Sequence, residues 1–237
     1  MPDPIVLRRR PRSKGATARG TTWWGRAFVR SFEELVLEPD DLRAARALAR
    51  SGRLGAIVVL EGMASAVVDP GTEAPLMAQV KVDRLDEEGW STFAREAARE
   101  SGFVAALEGG DLPSELVEHA DEAGAEVLPG PGDIDTACDC AAWAQPCLHT
   151  LGLLYQLAWQ VDTDPYVMLL LRGRTRESLL AEVEALAAGE RSPGTSEREE
   201  VRIRAAQVLA LAEDAPAGHG LADASVAAYD EAVSRLL

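Results

Sequence analysis

The three cysteines of this chain lie in one short stretch that also contains a histidine. Its order is Cys138-x-Cys140, then six residues, then Cys147-x-His149. In an extended segment, residues i and i+2 face the same side, so each pair can present two ligands together. Zinc prefers tetrahedral thiolate and imidazole ligands, with zinc–sulfur bonds of about 2.3 Å and zinc–nitrogen bonds of about 2.0 Å. The stretch therefore predicts a Cys3His zinc site.

Two other interpretations compete with a metal site. Buried apolar cysteines beside a hydrogen-bonded histidine are the ordinary alternative, but clustered Cys and His spacing is the feature that distinguishes metal sites. A disulfide fits less well, because the number of cysteines is odd. A bridge between Cys138 and Cys140 would also be strained by the geometry that disulfides require.

The predicted ion is structural rather than catalytic. Four protein ligands complete a tetrahedral shell, whereas catalytic zinc keeps a position open for water or substrate. The zinc deaminase signature is also missing, since Pro146-Cys147 is followed by Leu148-His149 and no glutamate lies two residues after a histidine. We expect one structural Zn²⁺ and no catalytic residue here.

The order Cys-x-Cys, spacer, Cys-x-His resembles the SWIM-type zinc finger of bacterial SWIM zinc finger proteins. The resemblance covers about residues 20 to 180 and is strongest at the finger. The flanking stretches that share it are 23–26, 49–53, 135–137, Trp143, the apolar helix from Thr150, 164–166 and 171–174. It implies a zinc-binding, non-catalytic module that contacts nucleic acid or proteins, sometimes alongside Swi/Snf-type helicases.

The N-terminus departs from the charge of the whole chain, which is -15. Residues 1–20 contain one acid, Asp3, and these basic residues: Arg8, Arg9, Arg10, Arg12, Lys14 and Arg19. Such a segment buries little, so we expect a disordered basic arm. It is suited to a phosphate backbone, which would make binding salt-dependent. A solubilising tail, or an arm folded onto the protein's own acidic surface, remains open.

A second basic patch is predicted on the helix from Pro39 to about Gly52. Arg43, Arg46 and Arg50 recur along one face of that helix, and Arg53 follows it. They are candidate phosphate contacts. A simply solvated helix face is the alternative.

Residues 21–130 are predicted to form an α+β domain. Short alternating runs separated by turn signals predict a three-stranded antiparallel meander, covered on one side only, at 56–60, 63–68 and 76–82. Helical periodicity predicts helices at 27–36, 39–52, 86–101 and 113–123. We expect the helix at 86–101 to cover the sheet, Gly102 to cap it, and 125–128 to form a short strand leading to the finger.

Residues 131–188 contain the finger and the helices that follow it. The helix ending near Val161 is apolar almost all round, which predicts burial between the finger and the preceding domain. Shorter helices are expected at 164–171 and from Thr175. A linker at 189–196 then precedes a C-terminal helical pair at 197–237. The expected fold is α+β: a small antiparallel sheet packed with helices, a finger leading into a helix, and a C-terminal helical region.

Two functions fit this pattern, and neither is enzymatic. No Ser-His-Asp order, phosphate-binding glycine loop or paired carboxylate motif is evident, so we expect no small-molecule substrate. The chain has no membrane-length apolar run and no apolar leader, so cytoplasm is the expected location, in agreement with reduced thiols.

The first candidate is an accessory factor that binds DNA or RNA, or a Swi/Snf-type helicase. The second is a protein-interaction adaptor that uses the acidic surface and the C-terminal helices. Contiguous arginines would favour the first candidate, and arginines interspersed with acids would favour the second.

Overall fold

A computed structural model of the chain describes residues 4–8, 20–36, 38–71 and 74–189. Five of the basic residues in the predicted arm lie outside these ranges: Arg9, Arg10, Arg12, Lys14 and Arg19. The predicted helical pair at 197–237 and nearly all of the linker also lie outside them. Every described residue belongs to one compact unit, Met1–Ser192.

An antiparallel sheet of five strands, in the order β1-β2-β3-β4-β5, lies at the centre of this unit. The strands are β1 Ile5–Leu7, β2 Leu54–Leu60, β3 Met63–Val68, β4 Leu76–Val82 and β5 Ile134–Cys138. The predicted meander corresponds to β2, β3 and β4, and the prediction is confirmed. One face is buried, with Ile57, Val59 and Val80 wholly inaccessible.

Eight helices are described in this unit, so the α+β class is confirmed. They are α1 Trp23–Glu33, α2 Pro39–Ser51, α3 Glu87–Ala98, α4 Ser101–Glu108, α5 Ser114–Glu122, α6 Leu148–Val161, α7 Tyr166–Leu171 and α8 Arg176–Ala187. A short 3-10 helix, Pro131–Asp133, precedes β5.

The central helix is α6, which packs against β2 to β5 and against α1, α2 and α7. Every residue from Thr150 to Val161 is buried, as its all-round apolar sequence predicts. The prediction that the helix at 86–101 covers the sheet is wrong, because α3 packs chiefly on α5 and α8. A helix apolar on all sides must be enclosed on all sides, so α6 takes the position against the sheet.

Two local predictions are also wrong. The helix expected at 86–101 ends at Ala98, where the chain becomes extended at Glu100 and starts α4, so Gly102 lies inside a helix and is not a cap. The strand expected at 125–128 is irregular. There the carbonyl of Glu126 accepts a hydrogen bond from the guanidinium of Arg172, at 2.7 Å, instead of a strand partner.

The predicted disordered arm contains a strand at Ile5–Leu7, which pairs antiparallel with β2. Three consecutive apolar residues are enough to add an edge strand, and the arginines that follow obscured this signal in the sequence. Arg8 is exposed just beyond the strand, and its carbonyl accepts a hydrogen bond from Gln160, at 2.7 Å.

The predicted finger region, 131–188, is part of the same compact unit as the predicted domain 21–130. Its strand β5 pairs with β4 from Val82–Ile134 to Ala78–Cys138, and α6 fills the core beneath the sheet. The boundary predicted at residue 130 is therefore not a domain boundary in the structure.

Candidate metal centre

The first ligand pair lies at the end of an edge strand. Cys138 is the last residue of β5 and pairs with Ala78 of β4. The pairing continues one residue further, because Asp139 N donates to Met77 O at 3.3 Å and Met77 N donates to an Asp139 carboxylate oxygen at 3.1 Å. The segment between Cys138 and Cys140 is thereby attached to the sheet.

The second ligand pair begins the central helix. Cys147 occupies the N-cap position of α6, and His149 lies in the first turn. The buried hydroxyl of Thr150 donates to the carbonyl of Cys147 at 3.0 Å and lies 3.6 Å from its Sγ. The centre therefore joins the edge of the sheet to the start of the most buried helix.

The four predicted ligands are brought together. One donor atom from each of Cys138, Cys140, Cys147 and His149 lies within 4.8 Å of the others. The Sγ of Cys138 lies 3.8 Å from Nδ1 of His149. Tetrahedral zinc would separate two sulfurs by about 3.8 Å, and a sulfur from a nitrogen by about 3.6 Å. The donor set could therefore hold a single metal ion with only small side-chain adjustments.

A side chain that sequence reasoning missed, Gln145, organises the loop between the pairs. Its Oε1 accepts hydrogen bonds from Cys147 N at 3.0 Å and from the Thr136 hydroxyl at 3.3 Å, and it lies 3.4 Å from the Thr150 hydroxyl. The peptide bond that follows, Gln145-Pro146, is cis. The only signal in the sequence was a lone amide in an otherwise apolar loop.

The environment affects the ligands unequally. Burial raises the pKa of the Cys138 thiol to about 12. Burial also opposes ionisation of Cys147, but hydrogen bonds from Thr150 and Cys140 outweigh it and lower the pKa of this thiol. Burial and the positive charge of Arg53 lower the pKa of His149. Metal binds thiolate and neutral imidazole, so the lowered pKa values of Cys147 and His149 favour binding, whereas the raised pKa of Cys138 opposes it.

Thr150→Val tests how far the hydroxyl beside Cys147 supports the centre. Valine keeps the shape but removes the hydrogen bonds, and loss of a group that orients a ligand weakens metal binding by about tenfold or more. Competition of the loaded protein with a chromogenic chelator measures this change. The matched control is Thr92→Val on α3, whose hydroxyl bonds Arg95. Equal affinities for the two variants would contradict the assigned role.

The second predicted basic patch does not form one open stripe. Arg43 forms an ion pair with Asp40. Arg46 is half-buried, pairs with Glu33 at 3.1 Å and donates to the hydroxyl of Tyr155.

The other two arginines of that patch lie further along the chain. Arg50 is half-buried, while Arg53 is exposed and donates to the carbonyl of Asp69 at 2.7 Å. Acids therefore accompany the arginines on α2.

The structure defines a class of protein but no particular family: an α+β protein in which a Cys3His cluster that could hold a metal ion links an edge strand to the central helix. No known family model matches the chain, and no solved structure matches it. The chain is similar to the uncharacterized protein Rv2102 of Mycobacterium tuberculosis. The two are 29% identical over 205 residues, which cover 84% of this chain and 74% of that protein. Among the described residues, no helix is long and apolar enough to cross a membrane.

Proposed function

We propose that this protein is a non-catalytic, zinc-binding SWIM-type finger protein that serves as a nucleic-acid-binding or helicase-associated accessory factor. The observation that carries the proposal is the Cys3His donor set, in SWIM order, with all its ligand atoms within 4.8 Å. Thiolate and imidazole donors in tetrahedral reach are the set that zinc favours.

Zinc in this shell would supply structural cross-linking rather than reaction chemistry, because four protein ligands leave no position for substrate. Cys138 and Cys140 would hold it from the sheet, and Cys147 and His149 from the helix. The loop between the pairs is thereby presented to solvent in a fixed conformation. A module of this kind functions by binding another molecule rather than by catalysing a reaction.

The contact residue that we propose is Trp143, at the tip of the finger loop. It is 98% exposed, and Leu148 beside the second ligand pair is 42% exposed. Exposing a tryptophan this completely leaves a large apolar surface in water, and such side chains are typical anchors of interfaces. An indole ring can stack on an unpaired base or enter a pocket of a protein partner.

A protein-interaction adaptor is the second candidate, and the ion pairs on α2 favour it. Asp40 pairs with Arg43 and Glu33 with Arg46, so two of the proposed phosphate contacts are compensated internally. The net charge of -15 also opposes contact with nucleic acid outside a local basic region. Association with a helicase would reconcile both candidates, because it needs protein contact near nucleic acid.

Trp143→Ala is the variant that tests the contact. We expect affinity for the partner to fall by about tenfold, as for loss of a stacked or anchoring aromatic ring. Zinc content and melting temperature should stay unchanged, because the ring is exposed. Fluorescence anisotropy with labelled single-stranded DNA, duplex DNA and RNA measures the affinity of the full, zinc-loaded chain. Ala141→Ser, in the same loop, is the control.

The outcomes of this experiment distinguish the two candidate functions. Nucleic-acid binding that weakens between about 50 mM and about 200 mM salt, and weakens again when Arg9, Arg10, Arg12, Lys14 and Arg19 are replaced by glutamine, supports the first candidate. These replacements keep β1 in place, and binding that they leave unaffected would exclude the arm. A protein partner other than a helicase that is retained after nuclease treatment, but lost with Trp143→Ala, supports the adaptor. If Trp143→Ala changes neither nucleic-acid nor protein binding, the proposed contact is wrong.

A further inference from the structure

The three thiols of the candidate centre are held unequally by the chain. Cys138 is the last residue of β5, pairs with Ala78 and packs against the hydrophobic core. Cys147 is buried at the N-cap of α6, where its backbone N–H donates to Gln145 Oε1 at 3.0 Å. Cys140 belongs to neither the strand nor the helix, and it is partly exposed. Among the three thiols, that of Cys140 is therefore both accessible to solvent and the least constrained.

The loop that follows Cys140 leaves its thiol room to move. Residues 141–145 are all exposed, and three of these five residues are alanines. The Sγ atom of Cys140 lies within 4.8 Å of the sulfurs of Cys138 and Cys147, and a disulfide needs about 2.0 Å. A displacement of less than about 3 Å therefore brings Cys140 Sγ into bonding distance of a second sulfur.

The second sulfur is that of Cys147. A bridge between Cys138 and Cys140 would span a single residue, which the geometry of disulfides disfavours. A bridge between Cys138 and Cys147 would have to shift β5 or α6, because each of these cysteines is fixed on one of the two elements. A bridge between Cys140 and Cys147 requires adjustment of the exposed loop alone.

We infer that the candidate centre is a peroxide-sensitive switch, in which oxidation joins Cys140 to Cys147 and releases the zinc ion. The inference rests on the zinc centre of the proposed function and concerns its regulation. Metal-bound cysteines are thiolates, which is the form that peroxide oxidises. An accessible thiolate next to a second, resolving cysteine is the arrangement found in redox sensors.

The oxidation has two steps, and hydrogen peroxide is the oxidant. The Cys140 thiolate attacks one oxygen of the peroxide, which gives a sulfenic acid on Cys140 and a hydroxide ion. The Cys147 thiolate then attacks the sulfur of the sulfenic acid, forms the disulfide and expels a second hydroxide. Two electrons pass from the two sulfurs to the peroxide, and solvent protons convert both hydroxides to water. Cys138 and His149 are only half of a tetrahedral shell, so the ion is released.

The disulfide replaces the ion as the link between the sheet edge and α6. Cys140 follows Asp139, whose backbone N–H donates to β4, and Cys147 starts α6, so the core keeps its connection. The loop between the two cysteines contains Trp143. Oxidation draws the sulfurs at its ends from about 3.8 Å to about 2.0 Å apart. We therefore expect binding through Trp143 to depend on the redox state of the centre.

Titration of the full, zinc-loaded chain with hydrogen peroxide tests the inference, and a chromogenic chelator measures the released zinc. We expect about one equivalent of peroxide to release the ion, and a dithiol reductant with added zinc to restore it. The same chain without peroxide is the control. The oxidised chain should melt at a higher temperature than the reduced, chelated chain, because the disulfide closes the loop.

Peptide mapping identifies which cysteines are joined. Cleavage before Asp139 and after Trp143 places the three cysteines on separate peptides. We expect a cross-link between the peptides that contain Cys140 and Cys147. A cross-link that involves Cys138, or zinc release with sulfinic acids and no disulfide, would overturn the inference.

Serine variants of the full chain provide an independent test, and thermal melting checks that they fold. Cys138→Ser retains the proposed pair and should form the disulfide with peroxide. Cys147→Ser retains Cys138 and Cys140 and should form sulfinic acid instead. Equal disulfide yields in the two folded variants would overturn the inference.

Zinc content measured before oxidation distinguishes a failure of this inference from a failure of the proposed function. A zinc-loaded chain that keeps its ion in the presence of peroxide overturns the switch and leaves the structural centre intact. A chain without zinc overturns the proposed centre, and the switch with it.

Discussion

We expect His149→Ala to release the zinc ion that we propose for this centre and to lower the free energy of unfolding by about 3 kcal/mol or more, because structural zinc contributes folding free energy directly. His149 lies in the first turn of α6 and provides the centre's imidazole ligand. Without the ion, the start of α6 is no longer cross-linked to β5. We expect the first turn of the helix to loosen together with the finger loop.

The loss should be partial rather than complete. Beyond the first turn, α6 is held by its own buried side chains, among them Leu153, Leu154 and Leu157, which have no exposed surface. Thermal denaturation followed by circular dichroism measures the change, and chelation of the wild type should produce a similar one. His119→Ala is the control, because His119 is exposed on α5. Equal melting temperatures for the two variants would contradict a structural metal.

Asp162→Ala will destabilise the other end of α6 by about 3 kcal/mol, the cost of removing a buried, charged acceptor from several partly buried donors. Asp162 is 6% exposed and is the C-cap residue of α6, where its backbone N–H bonds the last turn. It accepts hydrogen bonds from the backbone N–H groups of Thr21 and Thr22, at 2.7 and 2.8 Å, and from the Thr22 hydroxyl at 2.9 Å. These donors belong to the N-terminus of α1.

The position explains why so many donors surround one carboxylate. The C-terminus of a helix disfavours negative charge, whereas the N-terminus of α1 attracts it. The fit is close: a Cβ at Gly20 or Gly25 would lie 2.8 or 2.6 Å from Asp162 Oδ1. The two glycines therefore let the chain approach the carboxylate.

Urea denaturation of Asp162→Ala measures the effect. Asp162→Asn, which keeps an acceptor but not the charge, should fall between the wild type and the alanine variant. Asp121→Ala on α5 removes an exposed carboxylate and serves as the control. If Asp162→Ala is no less stable than Asp121→Ala, the carboxylate does not hold the two helices together.

Local signals in the sequence predicted most helix and strand positions. The helix α2 runs from Pro39 to Ser51 and ends at Gly52, whose φ of 87° is the left-handed conformation that glycine favours. The pairing of strands that are distant in the sequence could not be predicted from such local signals. The additions of β1 and β5 to the meander depend on contacts that no local pattern records. The position of α6 over the buried face of the sheet likewise depends on how the whole core packs.

The same distinction between local signals and long-range contacts applies to the candidate metal centre. Its four ligands were predictable because their spacing alone places them within reach of one ion. The hydrogen bonds by which Asp139 and Gln145 hold the centre could not be predicted. They depend on Met77 of β4 and on the fold of the loop. Arg46 illustrates the limit for surface predictions. Helical spacing placed it on a basic stripe, but Glu33 and Tyr155 draw it inward.

Metal analysis of the purified protein, combined with X-ray absorption at the zinc edge, tests the structural zinc centre most directly. We expect one zinc ion per chain, with three sulfur neighbours at about 2.3 Å and one nitrogen at about 2.0 Å. We also expect the ion to be absent from His149→Ala and retained in His119→Ala. Protein without stoichiometric zinc, or a zinc ion with an oxygen ligand in place of a sulfur, would contradict a Cys3His centre.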